Sequence, residues 1–276
     1  MRQLTRFPAP LPLVMGAVAV VLVGAPAAGQ DQTDPAPLSI GQTFTIASHV
    51  LGEVRRINVY RPAIYGDSTN RELPVLYMPD GGIAEDFLHI AGLLQISVLN
   101  GTMRPFLLVG IENTERRRDL TGTTQIAADS SIAPRVGGSS AFRRFLRTEL
   151  KPIIEARYRT TTESAIMGES LAGLFVVETF LYEPDLFDTY IAVDPSLWWN
   201  DSHLLSEARP LLSAGDRAGT AIYLASSSEG ELADLTRRLA AVIESVDPEA
   251  LTWHYHAMPQ ESHRTIYHPA ALAAVR

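Results

Sequence analysis

The sequence predicts an α/β protein with a mostly parallel central sheet of about eight strands and helices on both faces. Three observations carry this. Short runs such as LPVLY (73–77) and YIAV (190–193) are apolar almost throughout, as strands buried on both faces are. Each such run is followed by a glycine or acidic turn and then by a helical pattern, the alternation that builds a parallel sheet. The chain has 276 residues, 46% of them hydrophobic and 20% charged, enough to bury one large core without a second domain.

Taken in order, QTFTIASHV and EVRRINVYRP alternate in the strand manner around the hairpin signal Leu51-Gly52. LPVLYMPDGG (73–82) leads into the helix IAEDFLHIAGLLQ. RPFLLVGIEN (104–113) leads through a long loop into one helix, SAFRRFLRTELKPIIEARY. SAIMGES (164–170) precedes LAGLFVVETFLYEP, and TYIAVDP (189–195) precedes a tryptophan-bearing loop and DSHLLSEARPLL. TAIYLASS (220–227) precedes ELADLTRRLAAVIESV, and LTWHYHAMP (251–259) precedes the final histidine-bearing loop. The first two strands are antiparallel and the rest parallel, so ligands are expected beyond the carboxyl ends of the strands.

The amino terminus differs from this pattern. Arg2 and Arg6 lead the apolar stretch LPLVMGAVAVVLVGAPAAGQ, which ends in small residues and is short for a membrane span. Residues 1–29 are expected to be a signal peptide, 30–39 a linker, and 40–276 the catalytic domain, placing the protein in the periplasm or outside the cell. The net charge is −8; removing Arg2 and Arg6 leaves 21 basic against 31 acidic residues, or −10. That balance speaks against nucleic acid as a partner. With no cysteine, disulfides, thiolate metal sites and a cysteine-linked lipid anchor are excluded.

IMGESLAG (166–173) places Ser170 between Gly168 and Gly173, where a predicted strand stops and a predicted helix begins. A sharp strand-to-helix turn lifts a serine hydroxyl out at the sheet edge and crowds its neighbours, so small residues must flank it. The helix then offers free N–H groups at its start. A helix-capping serine on an ordinary turn is the bland alternative. Strand, turn and helix together favour a nucleophile.

GESLAGLFVVETFLYEPDLFDTYIAVDPSLWWN, with VLYMPDGG, VGIENTERRRDLTGT and FLRTELKPIIEARYRT in the same order, resembles the putative esterase family that includes enterobactin esterase-like α/β-hydrolases. The resemblance covers roughly residues 40 to 270. It implies an α/β-hydrolase fold and ester hydrolysis by a serine. Two departures are expected to bear on substrate and not on proton transfer: Glu169, where many relatives have histidine, and Asp194, where many have serine.

In this fold the order runs serine, acid, histidine, which points to His263 in the loop after the last strand as general base. His254 and His256 share one face of that strand and suit packing, His268 suits a helix start, and His49, His89 and His203 come too early in the chain. Glu229, at the turn after TAIYLASS, is expected to orient His263. Glu231 at the next helix start and Asp194 are alternatives, as is a serine–histidine dyad with no fixed acid. The oxyanion donors are expected at the backbone of Leu171 and of Gly81 or Gly82. Arg116 and Arg118 either bind substrate or pin their loop, and Trp198 and Trp199 either wall the pocket or pack beneath it.

The function expected is a serine esterase acting on a siderophore or other small acyl ester through an acyl-enzyme, without metal or cofactor and without a stable membrane anchor. A catalytically inactive ligand-binding protein on the same scaffold is the alternative. A metal site built from His254, His256 and His263 would leave the serine turn without a purpose.

Overall fold

The computed structural model describes residues 36–63, 70–214, 217–246 and 251–276. The expected signal peptide lies outside the described residues, as does most of the expected linker. Residues 36–39 have no regular structure. Ser39–Arg276 forms one unit, which carries every element below. Among the described residues no helix is long and apolar enough to cross a membrane.

Eight strands form one sheet: β1 (Gln42–Ser48), β2 (Glu53–Tyr60), β3 (Leu73–Met78), β4 (Leu107–Ile111), β5 (Thr160–Glu169), β6 (Thr189–Val193), β7 (Ala221–Ser226) and β8 (Thr252–Ala257). Their spatial order is β1-β2-β4-β3-β5-β6-β7-β8. The β1–β2 and β2–β4 pairs are antiparallel and all others parallel. The β1–β2 hairpin closes where Leu51-Gly52 predicts it, with Gly52 at φ 66° in the left-handed region.

The fully apolar strands are explained by two cores, one on each face of the sheet. Because side chains alternate along a strand, Val75 and Tyr77 join one layer and Leu76 and Met78 the other. The second layer is covered by α1 (Phe87–Leu99) and α9 (Tyr267–Ala274). On the first face lie α4 (Ser139–Phe145), α5 (Lys151–Arg157), α6 (Leu171–Tyr182), α7 (Trp199–Ala214) and α8 (Gly230–Val246). Side chains such as Phe175, Val176 and Phe180 are wholly buried, each stabilising the fold by about 1.5–3 kcal/mol relative to exposure.

Three local details depart from the sequence reading. The loop after β4 contains two short helices, α2 (Arg116–Asp119) and α3 (Ala127–Ser131). The single helix expected over 140–158 is split by a π-helical turn at Leu146–Leu150, just before Pro152 at the start of α5. Proline has no N–H for the usual bond, and the wider turn absorbs the break. The first turn of α7 holds Asn200, Asp201 and Ser202 in left-handed conformation, at φ 51°, 52° and 58°.

Candidate active site

The sheet's carboxyl edge concentrates backbone strain. Asp80 after β3, Ser170 after β5 and Asp194 after β6 all have positive φ (56°, 60° and 45°), costly for residues with a β-carbon and persistent only where the surroundings enforce it. At Ser170 the enforcement is visible. A β-carbon on Gly168 would lie 2.7 Å from Ala172, and one on Gly173 would lie 2.9 Å from the Val193 carbonyl. Helix and strand approach so closely that only glycine fits at both places, as the motif predicts. Ser170, with ψ −120°, turns its hydroxyl out at the start of α6.

Register then decides what stands beside it. Glu169 pairs with Val193 across β5–β6, so the next step along each strand sets Ser170 level with Asp194. The Asp194 side chain is fully buried. It accepts from the Ser227 N–H at 2.9 Å and the Ser227 hydroxyl at 2.7 Å. His263, from the loop between β8 and α9, donates Nδ1–H to Asp194 Oδ2 at 2.7 Å. A carboxylate only accepts, so the proton sits on Nδ1 and Nε2 is the acceptor for the Ser170 hydroxyl, 3.2 Å away.

The bond from Asp194 raises the His263 pKa above its ordinary value; burial opposes this, while the fields of Glu169, Asp194 and Glu229 add to it. Ser196, 3% exposed, brings its own hydroxyl to 3.4 Å from Ser170 Oγ. Glu169 is pushed up to about 7, chiefly by burial, with Asp86 and Asp194 raising it further and His263 and Arg116 opposing.

The expectation for Glu229 is therefore corrected. Its side chain is exposed, and its backbone N–H donates to Ser227 Oγ at 3.1 Å. It acts on His263 only through its field. Asp194, named above as an alternative acid, makes the bond to His263 instead, and the reading that its departure from the family bears on substrate and not on proton transfer is corrected with it. The legible signal was an acid ending the strand next to the serine strand, but it required knowing which strands pair.

Gly81 is also corrected as an oxyanion donor. Its N–H is spent on the Ile111 carbonyl at 2.9 Å, extending the β3–β4 ladder. Its carbonyl accepts from Asn58 Nδ2 at 2.8 Å, and a β-carbon there would strike Gly110 at 2.3 Å. Gly82 and Leu171 remain: the Gly82 N–H meets a side-chain acceptor, Glu85 Oε2 at 2.6 Å, and not the sheet ladder. The β3–β5 register, Tyr77 opposite Ile166, carries the Asp80–Gly82 loop alongside Glu169–Leu171. Leu171 N–H is one of the amides that the start of α6 leaves without an intrahelical acceptor.

The two arginines separate. Arg118 bonds Glu53 at 2.7 and 3.0 Å and Asp119 at 2.6 Å, in a network with the fully buried Arg55. Arg55 pairs with both Glu53 and Asp119. Hydrogen bonding to Arg118 holds the Glu53 carboxyl down at about 2 despite partial burial. Arg118 thus pins its loop. Arg116 clamps Asp80 with two bonds of 2.7 Å through Nε and Nη2, leaving Nη1 without a bond among the described residues.

The tryptophans separate likewise. Trp199 is 4% exposed and donates Nε1–H to the Gly122 carbonyl at 3.0 Å, so it packs. Trp198 is half-buried, which leaves part of its surface to line a pocket.

Four of the other histidines are occupied elsewhere. His254 stacks on Tyr223 with ring centres 5.5 Å apart, and His256 Nδ1 lies 3.2 Å from the Tyr223 hydroxyl. His89 Nε2 and His268 Nδ1 are 2.9 Å apart.

Strand order, a serine turn after β5 and a histidine loop after β8 define the α/β-hydrolase fold. Residues 48–268 match the model of the family described as "Putative esterase", and the chain belongs to that family.

Curated relatives include the ferri-bacillibactin esterase BesA of Bacillus subtilis, 38% identical over 122 residues, 40% of this chain and 42% of that protein. Another is the siderophore triacetylfusarinine C esterase of Aspergillus fumigatus, 30% identical over 198 residues, 65% of this chain and 63% of that protein. Both matches span less than two thirds of the relative's length.

Among solved structures, an IroE-like serine hydrolase from Shewanella oneidensis superposes with TM-score 0.77 at 27% identity, covering 85% of this chain and 78% of that one. The enterobactin esterase FES of Shigella flexneri, solved in the presence of enterobactin, shares the fold at TM-score 0.69 and 18% identity, covering 87% and 59%.

Proposed function

We propose that this protein is a serine carboxylic-ester hydrolase that works through an acyl-enzyme. The observation that carries the reading is His263, bonded on one nitrogen to the buried Asp194 and on the other to Ser170. Ser170 Oγ attacks the ester carbonyl carbon while its proton passes to His263 Nε2. The resulting imidazolium is stabilised by Asp194. The negative oxygen of the tetrahedral intermediate takes N–H bonds from Leu171 and Gly82. His263 then gives the proton to the departing alcohol oxygen, leaving Ser170 acylated. A water molecule, deprotonated by the same nitrogen, attacks the acyl carbon; the C–Oγ bond then breaks, His263 returns the proton to Ser170 Oγ, and the carboxylic acid leaves.

The substrate is read as a siderophore ester or another small acyl ester. The support is family membership and relatives whose names specify siderophore esterases. Arg116, through its uncommitted Nη1, and the exposed part of Trp198 are the residues assigned to substrate contact. A periplasmic or secreted location is part of the same reading, supported by the basic-then-apolar composition of residues 1–29.

The test is a panel of p-nitrophenyl esters, siderophore esters, acyl sugars and thioesters, run on the wild-type protein and Ser170→Ala. Turnover should fall at least about 10⁴-fold in the variant. A fluorophosphonate should label Ser170. Full activity in Ser170→Ala would exclude this mechanism.

A further inference from the structure

In the mechanism above the second oxyanion donor is the Gly82 N–H, and in the free protein that donor is engaged. Glu85 Oε2 accepts it at 2.6 Å, while the Glu85 N–H donates back to the Gly82 carbonyl at 3.0 Å. This reciprocal pairing resembles the box that closes a helix start. The other carboxylate oxygen, Oε1, accepts from Asn113 Nδ2 at 3.0 Å and from its backbone N–H at 3.4 Å. Asn113 Nδ2 also bonds Asp80 Oδ1 at 2.6 Å, the carboxylate that Arg116 clamps. Glu85 is only half-buried, so its carboxylate has somewhere to go.

An anionic oxygen 2.6 Å from a backbone N–H is chemically what a tetrahedral oxyanion presents to the same donor. A neutral ester carbonyl is a weaker acceptor than a carboxylate and competes poorly for the bond. The oxyanion competes on equal terms.

We propose that Glu85 is a positioning residue that holds the Gly82 N–H with its own carboxylate in the free enzyme and yields it to the oxyanion as the tetrahedral intermediate forms. The proposal rests on Ser170 being the nucleophile. No bond is made or broken at Glu85; one acceptor replaces another on a fixed donor, with Oε1 still on Asn113. The donor is thus kept aligned and is released only to an acceptor that carries a full negative charge, while a neutral ester leaves the Glu85 bond in place.

A carboxylate that merely pins the loop would have a different signature. Losing a pin weakens every ligand, whereas freeing the donor strengthens those that carry an oxyanion. The experiment measures the inhibition constant of an alkylboronic acid, which forms a tetrahedral adduct on a serine oxygen. It is run alongside KM for p-nitrophenyl butyrate and the Gly82 amide resonance in a 1H–15N spectrum. The proteins are wild type, Glu85→Ala and Glu85→Asp, the last keeping the charge but losing the reach.

The boronic acid should bind about tenfold more tightly to both variants than to wild type, with KM changing less. The Gly82 proton should lie downfield in wild type, move upfield in both variants and return downfield in the adduct. Where Glu85→Ala fails to fold, Glu85→Gln, equal in size and uncharged, carries the same expectation in smaller measure.

Equal or weaker boronic acid binding in folded variants would overturn the proposal while leaving the nucleophile in place. Failure of the boronic acid to inhibit wild type, together with activity in Ser170→Ala, would instead remove the nucleophile reading and the proposal with it.

Discussion

Asp194 after β6 and Glu229 after β7 stand one strand apart at the same edge of the sheet, yet only Asp194 touches the imidazole. Asp194 is fully buried and fastened by two bonds from Ser227. Glu229 is exposed, on a turn that gives its side chain no partner among the described residues. An acid that orients a base must hold one direction, and a carboxylate kept from water by neighbouring donors does so at little further entropic cost. The strand end after β7 keeps a part in this arrangement, because its serine braces the acid of the adjacent strand.

The sharpest break of that comparison is a pair of neutralising substitutions. Asp194→Asn should lower kcat by about 10³–10⁴-fold by favouring the wrong imidazole tautomer, while Glu229→Gln should change it by about twofold or less. Equal effects in steady-state assays would erase the distinction.

Ser227→Ala removes the hydroxyl half of the brace and leaves the backbone N–H and the acid. A loss of about tenfold in kcat is expected, because one buried acceptor loses a partner that contributes on the order of 1–2 kcal/mol. Retention of full kcat would show that burial and the remaining backbone N–H bond hold Asp194 without the hydroxyl.

The arginines extend the same contrast between a side chain spent on its neighbours and one with a donor to spare. Arg118→Ala removes one of the two arginines that hold Glu53 and Asp119, leaving Arg55, and should cost about 1–2 kcal/mol of stability in denaturant unfolding. Arg116→Ala should cost less stability and raise KM instead. A reversal of these two readouts would exchange their roles.

The smallest expected effect concerns pH. The base works when neutral, so a His263 pKa above the ordinary value places the acid limb of kcat/KM at correspondingly higher pH. Glu169 contributes to that rise, so Glu169→Gln should shift the limb towards lower pH by a fraction of a unit, measured with an uncharged ester.

What the sequence made legible was local. The serine turn requires glycines at fixed offsets, and the histidine follows from chain order, so both can be read without knowing which strands meet. Asp194, Gly81 and Arg118 are different. Each is decided by a partner distant in sequence: Ser227 and His263 for the acid, the Ile111 carbonyl for the glycine, Glu53 for the arginine. The two-faced strands announced a parallel sheet, but not the register that sets Asp194 level with Ser170. Pro152 was visible; the π turn that accommodates it was not.

β8 is the outermost strand on its side of the sheet, and none of its residues is fully buried. The loop that follows it delivers His263, whereas the serine and the acid hang from interior strands. Warming should therefore fray this border first and withdraw the base from an otherwise intact body, so that hydrolysis fades, reversibly, some degrees before the chain as a whole melts.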